Sequence, residues 1–197
     1  MKKIIEKSIE QSFSYSEYRV LVHDLLIEGK STGFNQTESL TNFSLLNHKR
    51  MSRLDKKIII SEQVKLIFKS INKNQTWLLI TEGWCGDAAQ ILPVINKLVD
   101  ENEKIDLKIV LRDDHLELMD LFLTNGSRSI PKLIILDQEN NLLSEWGPRP
   151  SIASKIVKDY KDKNGNLTSE FKQDLQIWYN KNKGICIQKD LINILRF

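Results

Sequence analysis

The chain has 197 residues, 41% of them hydrophobic and 28% charged, which supplies a core of ordinary size without a disulfide or metal staple. A formal net charge of +3 is too small for a nucleic-acid binder or a polybasic membrane protein, and the length suits one domain with a substantial extension. Two cysteines, Cys85 and Cys186, make no disulfide framework, and Glu6 and Lys7 cut the N-terminal apolar run short, so the expected setting is a reducing cytoplasm, with no leader and no membrane span.

The first 73 residues read as helical. Tyr15, Tyr18, Leu21, Val22, Leu25 and Leu26 recur at three- and four-residue steps, as one apolar helix face does. Ser14 or Ser16 caps its start, and Gly29 and Gly33 punctuate its end. A second helix is expected with Leu40, Phe43, Leu46, Met51 and Leu54 on its inner side. A third carries Val64, Ile67, Phe68 and Ile71. The pattern then changes. Thr76 to Thr81 is short and apolar, as in a strand buried on both faces. A turn follows, then a helix from about Asp87 to Val99, a strand from Leu107 to Leu111, and a helix from His115 to Leu123 ending at an Asn125-Gly126 C-cap. Lys132 to Leu136 and Leu142 to Trp146 read as strands flanking a turn at Asn140-Asn141. Helices are expected from Ser151 to Lys161 and from Thr168 to Lys183, the latter aligning Phe171, Leu175 and Trp178. Cys186 follows Gly184, before a short segment from Leu191 to Phe197. This alternation is α/β and implies parallel pairing with right-handed crossovers, the final strand pair being antiparallel.

The chemistry concentrates at Trp84-Cys85-Gly86-Asp87-Ala88, between the first strand and its helix. Unpaired backbone N–H groups at a helix start favour thiolate over thiol, and thiolate is the nucleophile of thiol–disulfide exchange. Asp87 opposes that if its carboxylate points at the sulfur, and the residues alone leave the winner open.

Trp84-Cys85-Gly86-Asp87 after a hydrophobic strand resembles the W-C-G-x-C motif of the thioredoxin family. Gly126-Ser127-Arg128-Ser129-Ile130-Pro131-Lys132-Leu133 resembles the segment where that family carries a cis-proline facing the reactive cysteine. The resemblance spans roughly Thr76 to Lys161, the helical N-terminal region looks like an extension found in a poorly characterised bacterial branch, and the Lys-, Ile- and Asn-rich composition itself looks bacterial. It implies a thioredoxin-like fold over residues 74–163, between a helical N-terminal extension (1–73) and a C-terminal helical segment (164–197). It also implies Cys85 as the catalytic thiol, with Trp84, Gly86, Asp87, Ile130 and Pro131 as the substrate-binding edge.

Two positions depart from the family. Ala88 stands where the resolving cysteine would be, and Leu79 where the buried acid would be. A dithiol cycle between positions 85 and 88 is therefore impossible, and the chemistry implied is monothiol, with no cofactor. The partners would be protein thiols and disulfides or a low-molecular-weight thiol. A non-catalytic binding module using the groove beside Pro131 is the alternative. Peroxide sensing, with Cys186 as a possible resolving partner, is a third reading. The basic stretch around His48-Lys49-Arg50 is expected to be a solvated helix face. Arg112-Asp113-Asp114-His115 lacks metal-ligand spacing. Glu82, near Cys85, is either a proton acceptor or a residue facing water.

Overall fold

The computed structural model describes residues 1–195; Arg196 and Phe197, at the end of the expected C-terminal segment, lie outside them. The chain opens with α1 (Lys2–Glu10), α2 (Tyr15–Ile27), α3 (Glu38–Lys57) and α4 (Glu62–Lys69). Then come β1 (Gln75–Thr81), α5 (Ala88–Val99), β2 (Ile105–Leu111), α6 (Leu116–Leu121), β3 (Lys132–Asp137) and β4 (Leu142–Trp146). It closes with α7 (Ser151–Asn164), α8 (Ser169–Asn182) and α9 (Ile185–Ile194). Local signals account for many of these boundaries. Ser14 and Glu17 form a reciprocal capping box at α2, Thr37, Ser61 and Thr168 cap α3, α4 and α8, and Gly165 stops α7 in the left-handed region.

The sheet runs β2-β1-β3-β4, with β1 central, as its uninterrupted apolar run requires. β1 and β2 are parallel, as expected. β3, however, is antiparallel to β1, so the expected parallel crossover into it is wrong. The reason lies in the connection. A parallel return must travel the length of the strand, about 23 Å for seven residues, whereas here the six-residue α6 advances only about 9 Å and the chain then reverses in the turn between Thr124 and Ser127. The chain therefore re-enters at the end where β2 left, and Lys132 pairs with Ile80 near the Cys85 turn. The Asn125-Gly126 pair is likewise not a helix cap. Both residues have positive φ and form a two-residue turn closed by Thr124 and Ser127, beyond the end of α6.

The core is continuous across the sheet, α5 and the flanking helices. Nearly every residue of α5 is buried, Pro93 included, because the sheet covers one side while α3, α4 and α9 approach it from others. The inner face of α3 differs from the expectation. Phe43 and Leu46 are 52% and 44% exposed, while Ser44 and Asn47 are buried beside Met51 and Leu54. The polar pair has specific partners, described below, and these override hydrophobic periodicity. α1 is a helix of its own, burying Ile5 and Ser8. On α8 Phe171 and Leu175 are buried as expected, but the third inward residue is Tyr179 rather than the half-buried Trp178, and Cys186 lies in the first turn of α9. No helix among the described residues is long and apolar enough to cross a membrane.

Candidate functional site around Cys85

The turn between β1 and α5 is held from both flanks by the helical extensions. On one side, Gly83 N–H donates to the Thr32 hydroxyl at 2.7 Å, and Asn47 Nδ2 of α3 donates to the Gly83 carbonyl at 3.0 Å. Ser44, hydrogen-bonded to Ser31, completes this polar seam. On the other side, Gln176 of α8 donates to the Gly86 carbonyl at 3.4 Å and accepts from Gln90 at 2.9 Å. Trp84 is half-buried, with the Arg112 guanidinium 4.8 Å above its ring.

Cys85 itself is 7% exposed. Its thiol donates to the Ile130 carbonyl at 3.4 Å, and its sulfur accepts the Ala88 N–H at 3.5 Å. The first turn of α5 thus does aim backbone amides at the sulfur, as a helix start should. They do not prevail. Burial pushes the Cys85 thiol up to about 12, and the Asp87 carboxylate adds to that, against the Ala88 and Asp87 amides and the Arg149 guanidinium. The Ile130–Pro131 peptide facing the sulfur is cis, and both residues are buried. Gly147, at φ 122°, packs so tightly on the Pro131 carbonyl that a Cβ there would fall within its van der Waals sphere.

Asp87 occupies the N-cap of α5 but caps nothing. Its Oδ2 pairs with Arg149 Nη2 at 2.7 Å and its Oδ1 accepts from the Tyr179 hydroxyl at 2.9 Å. Burial raises its pKa, while Arg149 and Tyr179 pull the other way. Glu82 does not face water: it is fully buried. Its Oε1 accepts the Asp113 N–H at 2.9 Å, and its Oε2 makes no hydrogen bond. Burial lifts its carboxyl to about 6 despite the Thr32 hydroxyl and the Asp113 amide nearby.

The structure therefore brings Trp84, Cys85, Gly86, Asp87, Ile130 and Pro131 together. Ala88 and Leu79 are both buried in the positions expected of them. Cys186 shares no hydrogen-bond partner with Cys85: its sulfur accepts from Asn182 Nδ2 at 2.9 Å, and both cysteines are free thiols. The Arg112–His115 stretch is part of no metal-ligating cluster among the described residues. Sequence reasoning missed Arg149, Tyr179, Gln176, Thr32 and Asn47. Only Arg149 carried a local signal, in the rigid Gly147-Pro148-Arg149-Pro150 run.

Among solved structures, a protein of unknown function from Pseudomonas aeruginosa is similar at a TM-score of 0.57 and 17% identity, over 93% of this chain and 97% of that one. An HIV epitope-scaffold matches equally well, at a TM-score of 0.57 and 17% identity over 93% of this chain and 98% of its own. At such identities these likenesses speak to the fold. Among curated proteins, none matches. A thioredoxin family model matches residues 33–161, well over half of the chain and including both the Cys85 turn and the Pro131 segment. With a four-stranded sheet in the order β2-β1-β3-β4 and a cysteine at the start of the helix after β1, this chain belongs to the thioredoxin family.

Proposed function

We propose that the protein is a monothiol thiol–disulfide oxidoreductase acting through Cys85. The observation that carries this reading is the environment of the sulfur, which touches the Ile130 carbonyl and the Ala88 amide at once. Cys85 thiolate attacks one sulfur of a disulfide. A new S–S bond forms, the old one breaks, and the leaving sulfur departs with the electron pair and collects the proton that Cys85 lost. Ala88 offers no second thiol, so a low-molecular-weight thiol completes the cycle by attacking the mixed disulfide and releasing Cys85. Trp84, Gly86, Asp87, Ile130 and Pro131 form the docking edge for either a protein or a small disulfide. The unit carrying this chemistry is taken as residues 74–163, with helical extensions 1–73 and 164–197, in a bacterial cytoplasm.

A second reading, a binding module using the groove beside Pro131, is favoured by the burial of Cys85 and by a thiol pushed up to about 12. Incubation with glutathione disulfide followed by intact-mass analysis and peptide mapping separates the two. The oxidoreductase gains one glutathione on Cys85 that a fresh thiol removes, and Cys85→Ser gains none there. No adduct on Cys85 in the folded protein sinks the redox reading.

A further inference from the structure

The exchange step assigns no proton-handling role to a connected group of side chains around the Cys85 turn. Asp87 is almost wholly buried at the start of α5, where an acid ordinarily caps its own helix. It makes no such bond. Its carboxylate instead joins two distant segments: Arg149 from the loop between β4 and α7 at 2.7 Å, and Tyr179 from α8 at 2.9 Å. Gln176, one turn earlier on α8, donates to the carbonyl of Gly86, the residue that links Cys85 to Asp87 in the chain.

We infer that Asp87, clamped by Arg149 and Tyr179, is a positioning residue that sets the protonation of Cys85 and couples it to helix α8. The inference rests on the exchange reading of Cys85. At rest the site holds a thiol, one carboxylate and one guanidinium, which balance. Removing the thiol proton to bulk water leaves two anions against one cation in a buried site, an unfavourable arrangement. Moving that proton from the Cys85 sulfur to the Asp87 carboxylate restores neutrality, and Arg149 is then free to pair with the thiolate. Tyr179 works against this transfer, because its hydroxyl favours the charged carboxylate. The other titratable or charged groups facing the turn among the described residues are Tyr18 of α2, whose burial raises its pKa and keeps it neutral, Arg50 of α3 beside Gly86, Arg112 over the Trp84 ring and paired with Asp113, and Glu82, engaged with the Asp113 amide.

The test is the pH dependence of Cys85 alkylation by iodoacetamide, with peptide mapping to separate it from Cys186. Asp87→Asn removes the opposing charge and frees Arg149, so Cys85 is alkylated about tenfold faster than in the wild type at the same pH. Asp87→Asn with Arg149→Met loses most of that gain. Tyr179→Phe moves the profile in the same direction as Asp87→Asn, by less. Circular dichroism establishes which variants fold. If Asp87→Asn does not fold, Tyr179→Phe carries the test. An unmoved profile in either folded single variant overturns the inference, and so does a double variant that keeps the full gain of Asp87→Asn. Glutathione adduct formation on the same samples keeps the two ideas apart. Shifted alkylation without an adduct sinks disulfide exchange and leaves the Asp87 cluster standing; an adduct with unmoved alkylation does the reverse.

Discussion

Three acidic or thiol groups near the turn share one physical condition, which is burial without full compensation. Cys85, Asp87 and Glu82 all have raised pKa values with loss of water as the leading cause. Glu82 is the simplest of them, since its Oε2 makes no hydrogen bond and Arg112, the cation nearby, is committed to Asp113 at 2.8 Å. Its carboxyl rises from 4.5 to about 6, so its contribution to stability is complete below 4.5 and lost as the pH climbs through 6, when the unfolded chain has already ionised. By neutral pH that difference amounts to about 2 kcal/mol. Glu82→Gln removes the titration while keeping an acceptor for the Asp113 amide. Urea unfolding at pH 5 and 7 should show the variant gaining about 1–2 kcal/mol on the wild type between the two. A stability difference that does not change with pH would contradict this account of Glu82. The Trp84-Cys85-Gly86 turn was legible in the chain because its signal is contiguous. Burial of Glu82 was not, because it is created by Thr32 and Asp113, from other segments.

At the scale of elements, α3 shows how a polar contact can outrank an apolar stripe. Hydrophobic periodicity alone points Phe43 and Leu46 inward, but the helix is rotated so that Asn47 reaches the Gly83 carbonyl and Ser44 meets Ser31. A buried carbonyl left without a donor costs about 1–3 kcal/mol, comparable with burying one large apolar side chain. Asn47→Ala should therefore lower stability by about 1–3 kcal/mol in chemical denaturation. It should also raise amide hydrogen exchange around Gly83, where a purely helical defect would act on α3 alone. By contrast, the caps at Ser14, Thr37, Ser61 and Thr168 are readable from sequence, because cap and helix are neighbours in the chain.

For the whole molecule, the extensions do two jobs beyond adding mass. Phe13, in the link between α1 and α2, exchanges two backbone hydrogen bonds of 2.8 Å with Ile109 on the edge strand β2. That blocks an edge that would otherwise be open to pairing with another chain. Removing residues 1–27 would uncover this edge together with the surfaces that bury Ile5, Tyr18 and Val22. The truncated chain is expected to self-associate at concentrations where the full chain scatters no excess light, and static light scattering checks this. At the other end, α8 closes over the Cys85 turn through Gln176 and Tyr179.

Composition, the alternation of strands and helices, the capping residues and the two motif segments were determined by the amino-acid sequence itself, since each depends on residues adjacent or a few steps apart. The loss of a dithiol cycle belongs here too, because Ala88 is simply not a cysteine. Tertiary structure alone decided the antiparallel course of β3, the rotation of α3 and the electrostatics of Cys85. These arise from partners brought together across the fold: Asn47 meets Gly83 from 36 residues away, and Tyr179 meets Asp87 from 92. The helix start at Cys85 favours thiolate, as its local sequence suggests. Burial by the surrounding helices and the carboxylate of Asp87 outweigh it, because removing water acts on the charge from every side while two amides act from one.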